Sequence, residues 1–313
     1  MYTRKDIRIK AIKILFAYYQ DSYDNLKQTE KQLLYSFDET YRIYLSYLAM
    51  LGELQHQAFI YIEDAKNQLM PTKKDLNPSL VFLENPILQF IVKDPNWIRM
   101  FKNYKVQFGD FSREIKDLFL TLRQKKFFQD YLEIETATLE NHKDFVKELY
   151  TSFLFTHPML SDYLDDLSIF WQDEEELLQY MVLETIRKAT LDKLPVLPLM
   201  KEEHENKEFA VKLLHKTILN TKEYDSYIEV HTANFTIDRI TLLDKVILRT
   251  AIAELMNFEQ IPPKVTINEY IHIAKEFGGA KSGQFINGVM DKILASLKQE
   301  EKIIKKGRGL VEN

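Results

Sequence analysis

Residues 264–294 read KVTINEYIHIAKEFGGAKSGQFINGVMDKIL. Ile267, Ile271 and Ala274 recur at helical spacing before the glycines, and Phe285, Ile286, Val289, Ile293 and Leu297 recur after them. Gly278, Gly279, Gly283 and Gly288 fall in between or just beyond, half of the chain's 8 glycines. Gly278 follows AKEF, where a left-handed residue ends a helix, and Ser282 stands where an N-cap starts the next. The stretch predicts two amphipathic helices, over about 264–276 and from about 285 onward, joined in minimal space.

Upstream, TLLDKVILRTAIAELMNF (241–258) predicts another helix, with Thr241 and Asp244 spaced as a near capping box before an apolar run. Ile261-Pro262-Pro263 stops it. Helical patterns also cover 204–221 and 223–232. At the other end, Ile7, Ala11, Ile14, Leu15 and Tyr18 mark one apolar side of a helix over about 3–20, with Ile9, Ile12 and Phe16 on a second side. A helix apolar on most of its circumference packs against more than one neighbour, so this one is expected to be central, with a basic first turn at the surface.

Between these ends, 24–66 reads as one or two long helices, and the prolines of MPTKKDLNPSLVFLENP (70–86) mark a loop. Helical patterns resume over 87–107, 110–133, 139–155, 159–168 and 173–192, and KLPVLPLM (193–200) closes the region. Its many aromatics are core candidates before they are base-stacking candidates. Lys143, Phe145, Leu149 and Tyr163 repeat as Lys207, Phe209, Leu213 and Tyr227 at an offset of 64, too few identities to establish a duplication.

The 313 residues are 45% hydrophobic and 28% charged, a globular and not a disordered composition. There is no cysteine, which removes disulfides, thiolate metal sites and cysteine nucleophiles and suits a reducing cytoplasm. No apolar run reaches membrane-spanning length. Lys10 and Lys13 interrupt what would be a signal-peptide core, so the start is read as mature protein. The net charge is −5, yet both ends are basic: Arg4, Lys5, Arg8, Lys10 and Lys13 against Asp6, and Lys298, Lys302, Lys305, Lys306 and Arg308 against Glu300 and Glu301. An acidic body with basic ends suits local attraction of a polyanion, although solvated termini explain the same pattern.

The combination DKVILRTAIAEL, IPPKVTINEYIHIAKEFGG and FINGVMDKIL resembles the C-terminal half of the NusB family of transcription antitermination factors, and TRKDIRIKAIKILFAYYQ (3–20) resembles the family's opening. The resemblance implies an all-α fold of two small orthogonal helical bundles. The long middle segment exceeds it and is expected to form an added helical subdomain. The resulting division is a first helix in 1–24, the insertion 25–200, a C-terminal bundle 201–300 and a basic flexible tail 301–313.

By the same resemblance the protein is non-enzymatic, uses no cofactor or metal, and acts in the cytoplasm. It would bind boxA, a single-stranded element of nascent ribosomal RNA, together with the small-subunit ribosomal protein NusE, within an RNA polymerase antitermination complex. The RNA contacts implied by position are Arg4, Lys5, Arg8, Phe277, Lys281, Phe285 and Asn287. Arg and Lys supply salt-dependent affinity, and rings give flat partners to unstacked bases. The Asn287 amide suits either a base edge or a backbone cap. Asp244 and Lys245 match an acidic–basic pair near the family's NusE surface, and Phe16, which stands where a tyrosine is frequent, is placed with them as a NusE contact. Lys281 occupies a position often acidic in the family, and Asp6 one often basic.

Other chemistry is weaker. The histidines lack metal-ligand spacing, and Asp162, Asp165, Asp166 and the run 173–176 are read as acidic helix starts. GGAKSG follows a helix where a phosphate loop requires a strand. A helical domain of this kind also occurs fused to ribosomal RNA cytosine methyltransferases, but the zero cysteine count removes that family's nucleophile. The competing function is a helical interaction adaptor with little RNA contact of its own.

Overall fold

The computed structural model describes residues 1–20, 25–168, 171–232 and 240–307. Among the described residues it is all-α, with only an isolated parallel bridge between Tyr2 and Met200. The chain divides into two compact units, Ser36–Leu199 (with Met1) and Tyr2–Tyr35 plus Met200–Asn313.

In the first unit, the long helix α2 (Leu26–Lys66, of which residues from Ser36 belong here) is followed by α3 (Lys73–Leu76), α4 (Pro86–Lys93), α5 (Pro95–Asn103), α6 (Ser112–Leu122), α7 (Lys126–Leu132), α8 (Leu139–Leu149), α9 (Pro158–Leu167) and α10 (Glu175–Arg187). The segment 24–66 thus holds one helix. The expected helix over 87–107 is two, because Pro95 has no N–H to continue the first and the Asp94 carboxylate caps the second by accepting from the Asn96 N–H at 2.8 Å. The expected 110–133 helix is also two. No glycine or proline marks that break, which lets Phe128 pack edge-on against Phe82 and Phe119. A π-helical turn, Tyr150–Leu154, extends α8.

The aromatics here are core. Phe145 stacks on Tyr131 at 3.8 Å, and Trp97, Tyr44, Tyr150 and Phe82 are among the largest fully buried side chains. Their polar tips are satisfied: the Trp97 indole donates to the Leu194 carbonyl (3.1 Å), the Tyr150 hydroxyl to the Tyr47 carbonyl (2.8 Å), and Tyr44 pairs with the Thr185 hydroxyl (2.6 Å). Burial pushes the Tyr44 phenol up to about 12. Asp165 accepts from the Trp171 indole at 2.7 Å, a structural use of one of the acidic residues weighed as a metal ligand.

The second unit consists of α1 (Arg4–Gln20), the first turns of α2, α11 (Glu203–Leu219), α12 (Thr221–His231), α13 (Leu242–Asn257) and α14 (Pro263–Gln299). Helix α1 packs against α11 and α13, and α13 packs along α14. Ile7, Ala11 and Leu15 are fully buried and Ile12 nearly so, so α1 is central to this unit as its two apolar sides require. Phe145, Leu149 and Tyr163 of the first unit and Phe209, Leu213 and Tyr227 of the second are all buried helix-face positions, which equal packing demands with or without a duplication.

The tail differs from a flexible one over its first residues. The Lys302 ammonium donates to Glu223 (2.9 Å) and to the Tyr227 hydroxyl (2.8 Å), the Lys305 ammonium to the Phe258 carbonyl (2.9 Å), and the Lys306 N–H to the Glu259 carbonyl (3.0 Å). Arg308 lies outside the described residues. Burial pulls the Lys305 ammonium down to about 8. A lysine depressed in the folded state is protonated more readily when unfolded, so its unfavourable contribution fades as pH rises from about 8 towards 10.5. The stability of the wild type relative to Lys305→Met is therefore expected to climb over that window, as read by thermal melts of both proteins at stepped pH. The Phe258 carbonyl keeps the Ile261 N–H in the variant (3.2 Å). Parallel pH profiles would refute this.

Candidate nucleic-acid interface

The start of α1 is built by a local cap. The Thr3 N–H donates to Asp6 at 2.7 Å and the Asp6 N–H to the Thr3 hydroxyl at 3.4 Å, a reciprocal arrangement that satisfies two helix-terminal donors. Asp6, which looked like a loss of positive charge, is the acid that makes this cap.

The cations of this turn then separate by direction. Arg4 is exposed, with its guanidinium over the Phe209 ring at 4.3 Å. Lys5 is half-buried and reaches the other way, donating to Glu276 at 2.7 Å. Lys13, two turns on, sets its ammonium 5.5 Å from the Phe277 ring centre. Arg8 is a correction to the sequence reading: it is only 3% exposed and forms a two-toothed pair with the fully buried Glu254 (Nε to Oε2 2.7 Å, Nη2 to Oε1 2.9 Å). The Thr266 hydroxyl (2.9 Å) and the Tyr270 phenol (3.2 Å) also donate to Glu254. Burial works against the Arg8 charge, but the hydrogen bonds and charge of Glu254 outweigh it and raise the pKa. Lys10 is likewise buried, its ammonium 5.5 Å from the Tyr2 ring centre.

The glycine-rich stretch is a kink inside α14. The residue in the left-handed half of backbone space is Gly279 (φ 79°, ψ −177°), one position later than expected. Gly278 is instead needed for space, since a Cβ there would stand 2.6 Å from Ser282 Cβ. A Cβ at Gly283 would meet Lys275 Cγ at 2.3 Å. Ser282 does not cap the following segment in the expected way; it is buried, and its hydroxyl is hydrogen-bonded to the Asp244 carboxylate. Asp244 also accepts from the Thr241 hydroxyl (2.8 Å), and its own N–H donates back to that hydroxyl (3.1 Å). Asp244 thus joins the cap of α13 to the kink of α14.

Around the kink, Phe277 (40% exposed), Lys281 and Asn287 are exposed, while Phe285, Lys245 and Phe16 are half-buried. The sequence-derived set therefore separates. Lys5 and Phe277 are linked to one neighbourhood by the Lys5–Glu276 and Lys13–Phe277 contacts, Arg4 faces α11, and Arg8 is inside. Lys13, Glu254, Phe209 and Glu276 were missed. Glu254 carried a signal: a lone carboxylate in the apolar run VILRTAIAELM demands a buried cationic partner. Phe209 carried none.

On the α11 side of the α1 start lies an open cleft of about 1020 Å³, lined by Arg4, Arg8, Phe209, Lys212, Gln260 and Glu269 among others. Among the described residues no group of His, Asp or Glu is arranged to hold a metal ion, and no helix is long and apolar enough to cross a membrane.

Residues 176–295 match the model of the NusB family. The transcription antitermination protein NusB of Salinibacter ruber is 42% identical over 110 residues, 35% of this chain and 69% of the relative. That of Chloroherpeton thalassium is 34% identical over 144 residues, 45% of this chain and 68% of the relative. That of Koribacter versatilis is 40% identical over 100 residues, 32% of this chain and 68% of the relative. No solved structure matches the chain. With more than two thirds of such relatives covered at this identity, the chain belongs to the NusB family of transcription antitermination factors.

Proposed function

We propose that this protein binds boxA-type single-stranded RNA in nascent ribosomal transcripts together with NusE, as a component of the RNA polymerase antitermination complex in the cytoplasm, and performs no catalytic step. The observation that carries the reading is the meeting of the chain's basic beginning with the α14 kink, through Lys5–Glu276 at 2.7 Å and Lys13 over Phe277. Accessible cations (Arg4, Lys281) and an accessible ring (Phe277) belong to the same compact unit. Phosphates and unstacked bases need these two kinds of partner. Asn287 suits a base edge and Phe285 the apolar border of the strand. Arg8 acts as a positioning residue that fixes the α1 start. Asp244, Lys245 and Phe16 remain the proposed NusE face, with Asp244 serving through the shape it gives the kink.

Many cations are already paired internally, Lys302 and Lys306 among them. This favours moderate intrinsic RNA affinity that NusE raises, and it is the observation that keeps an adaptor role as the second reading. With three or four phosphate contacts the slope of log affinity against log salt is expected to be about −2 to −3. The Arg4→Glu, Lys5→Glu double variant should lose at least about tenfold in affinity with helicity unchanged, measured by fluorescence anisotropy with a boxA-type oligonucleotide and circular dichroism. Equal binding by the double variant would remove the α1 start from the interface. NusE binding with no RNA dependence would favour the adaptor.

A further inference from the structure

The cleft between the start of α1, α11 and the α13–α14 loop was not marked by the sequence, and its chemistry differs from that of the kink. Its walls carry two cations laid on rings. Arg4 sits over Phe209 at 4.3 Å and Lys212 over Phe258 at 4.8 Å, and the two rings meet edge-on at 4.9 Å. Both rings are buried, at 5% and 8% exposure, so neither can itself receive a ligand. The exposed Arg4 guanidinium is different. It lies 4.3 Å from the Phe209 ring centre, makes no hydrogen bond or ion pair among the described residues, and keeps contact with solvent. A guanidinium plane fixed from beneath is a ready stacking surface for a flat aromatic group.

The charge balance says which flat group. Arg8 is neutralised by Glu254, and Glu259 is paired with Lys306 at 2.8 Å. What remains is Arg4 and Lys212, with Lys5 at the edge held by Glu276, against Glu205, Glu208 and Glu269, so the cleft is mixed in sign and offers little to a run of phosphates. Glu269 accepts no hydrogen bond. One oxygen is buried, the nearest cation being Arg8 Nη1 at 3.7 Å, and the side chain keeps 29% exposure. The exposed part of the carboxyl is open to a donor in the cleft, and the exocyclic amino groups of nucleobases are such donors.

We propose that this cleft is a subsite for one unpaired RNA base, stacked on the open face of Arg4 and donating an amino proton to Glu269. The inference rests on the RNA-binding reading above and adds a sequence-reading position to it, in a cleft that Lys5 also lines. Arg4 becomes a stacking residue before it is a phosphate contact.

The test uses the full chain and a fluorescein-labelled boxA-type single strand, plus a set in which each base in turn is removed or replaced by uracil. Arg4→Lys keeps the charge and removes the plane. It should weaken binding about tenfold, within the range of one stacked base, while the salt slope stays that of the wild type. At one position, base removal should weaken the wild type by a similar factor and Arg4→Lys hardly at all, since the two changes delete the same interaction. Replacing an amino-bearing base there by uracil should weaken the wild type but not Glu269→Ala, which has no acceptor to lose. Circular dichroism checks that both variants fold; Arg4 has no polar partner to lose. Arg4→Lys binding as well as wild type, or equal losses at every position in both proteins, overturns the subsite and leaves the broader reading standing. A wild type that binds no RNA sinks that reading, and the subsite with it.

Discussion

Arg8→Met is expected to destabilise the unit built from α1 and α11–α14 by about 3–5 kcal/mol, the usual cost of stripping one partner from a buried ion pair. Glu254 has no exposure, and its carboxylate is held by Arg8 at 2.7 and 2.9 Å, by Thr266 at 2.9 Å and by Tyr270 at 3.2 Å. Without Arg8, two hydroxyls must carry a full buried negative charge. Two native long side chains become one misfit, whereas Arg8→Met with Glu254→Leu replaces both charges by apolar volume. The double variant should recover most of the loss, to within about 2 kcal/mol of wild type, because the desolvation cost disappears together with the attraction. Hydrogen exchange along α1, α13 and α14, followed by mass spectrometry, localises the change in a chain with two compact units. Single and double variants of equal protection would mean that the pair is energetically idle.

The second large effect sits at the kink. Gly279 has φ 79° and ψ −177°, a region open essentially to glycine alone. Gly279→Ala should cost about 1–3 kcal/mol, or else force the backbone into another conformation and turn the second half of α14. The second outcome moves Lys281 relative to Phe277, Lys5 and Lys13, so RNA affinity should then fall about tenfold or more if those groups share one strand. Gly288→Ala is the control. A Cβ there meets nothing within 4 Å and the backbone is helical, so the same substitution should stabilise by about 0.4–1 kcal/mol. A Gly279→Ala protein that melts and binds like wild type would show that the bend can be made another way.

The tail is held by the same short-range logic. Lys302, Lys305 and Lys306 close on Glu223, Phe258 and Glu259, which takes them out of the pool of free cations. The basic charge at both ends of the chain is therefore a poor guide to the phosphate-binding charge. What counts is the subset left without an internal carboxylate, and Arg4 and Lys281 are in it whereas Arg8 is not.

The linear chain determined the helices whose signals are local. Thr241 and Asp244 cap α13, Pro262 and Pro263 begin α14, and Gly279, one of the clustered glycines, bends α14 one residue from the expected place. Period and capping act over one or two turns, so they are written in neighbouring residues. The pairing of cations was decided only by tertiary structure. Arg8 looks like Arg4 and Lys5 in sequence and shares a helix face with Arg4, but one turn further in it reaches a carboxylate 246 positions away, while Arg4 lies over Phe209 and Lys5 reaches Glu276. A charge inside a protein takes its meaning from the groups within a few ångströms, and distance along the chain carries almost no information about which groups those are.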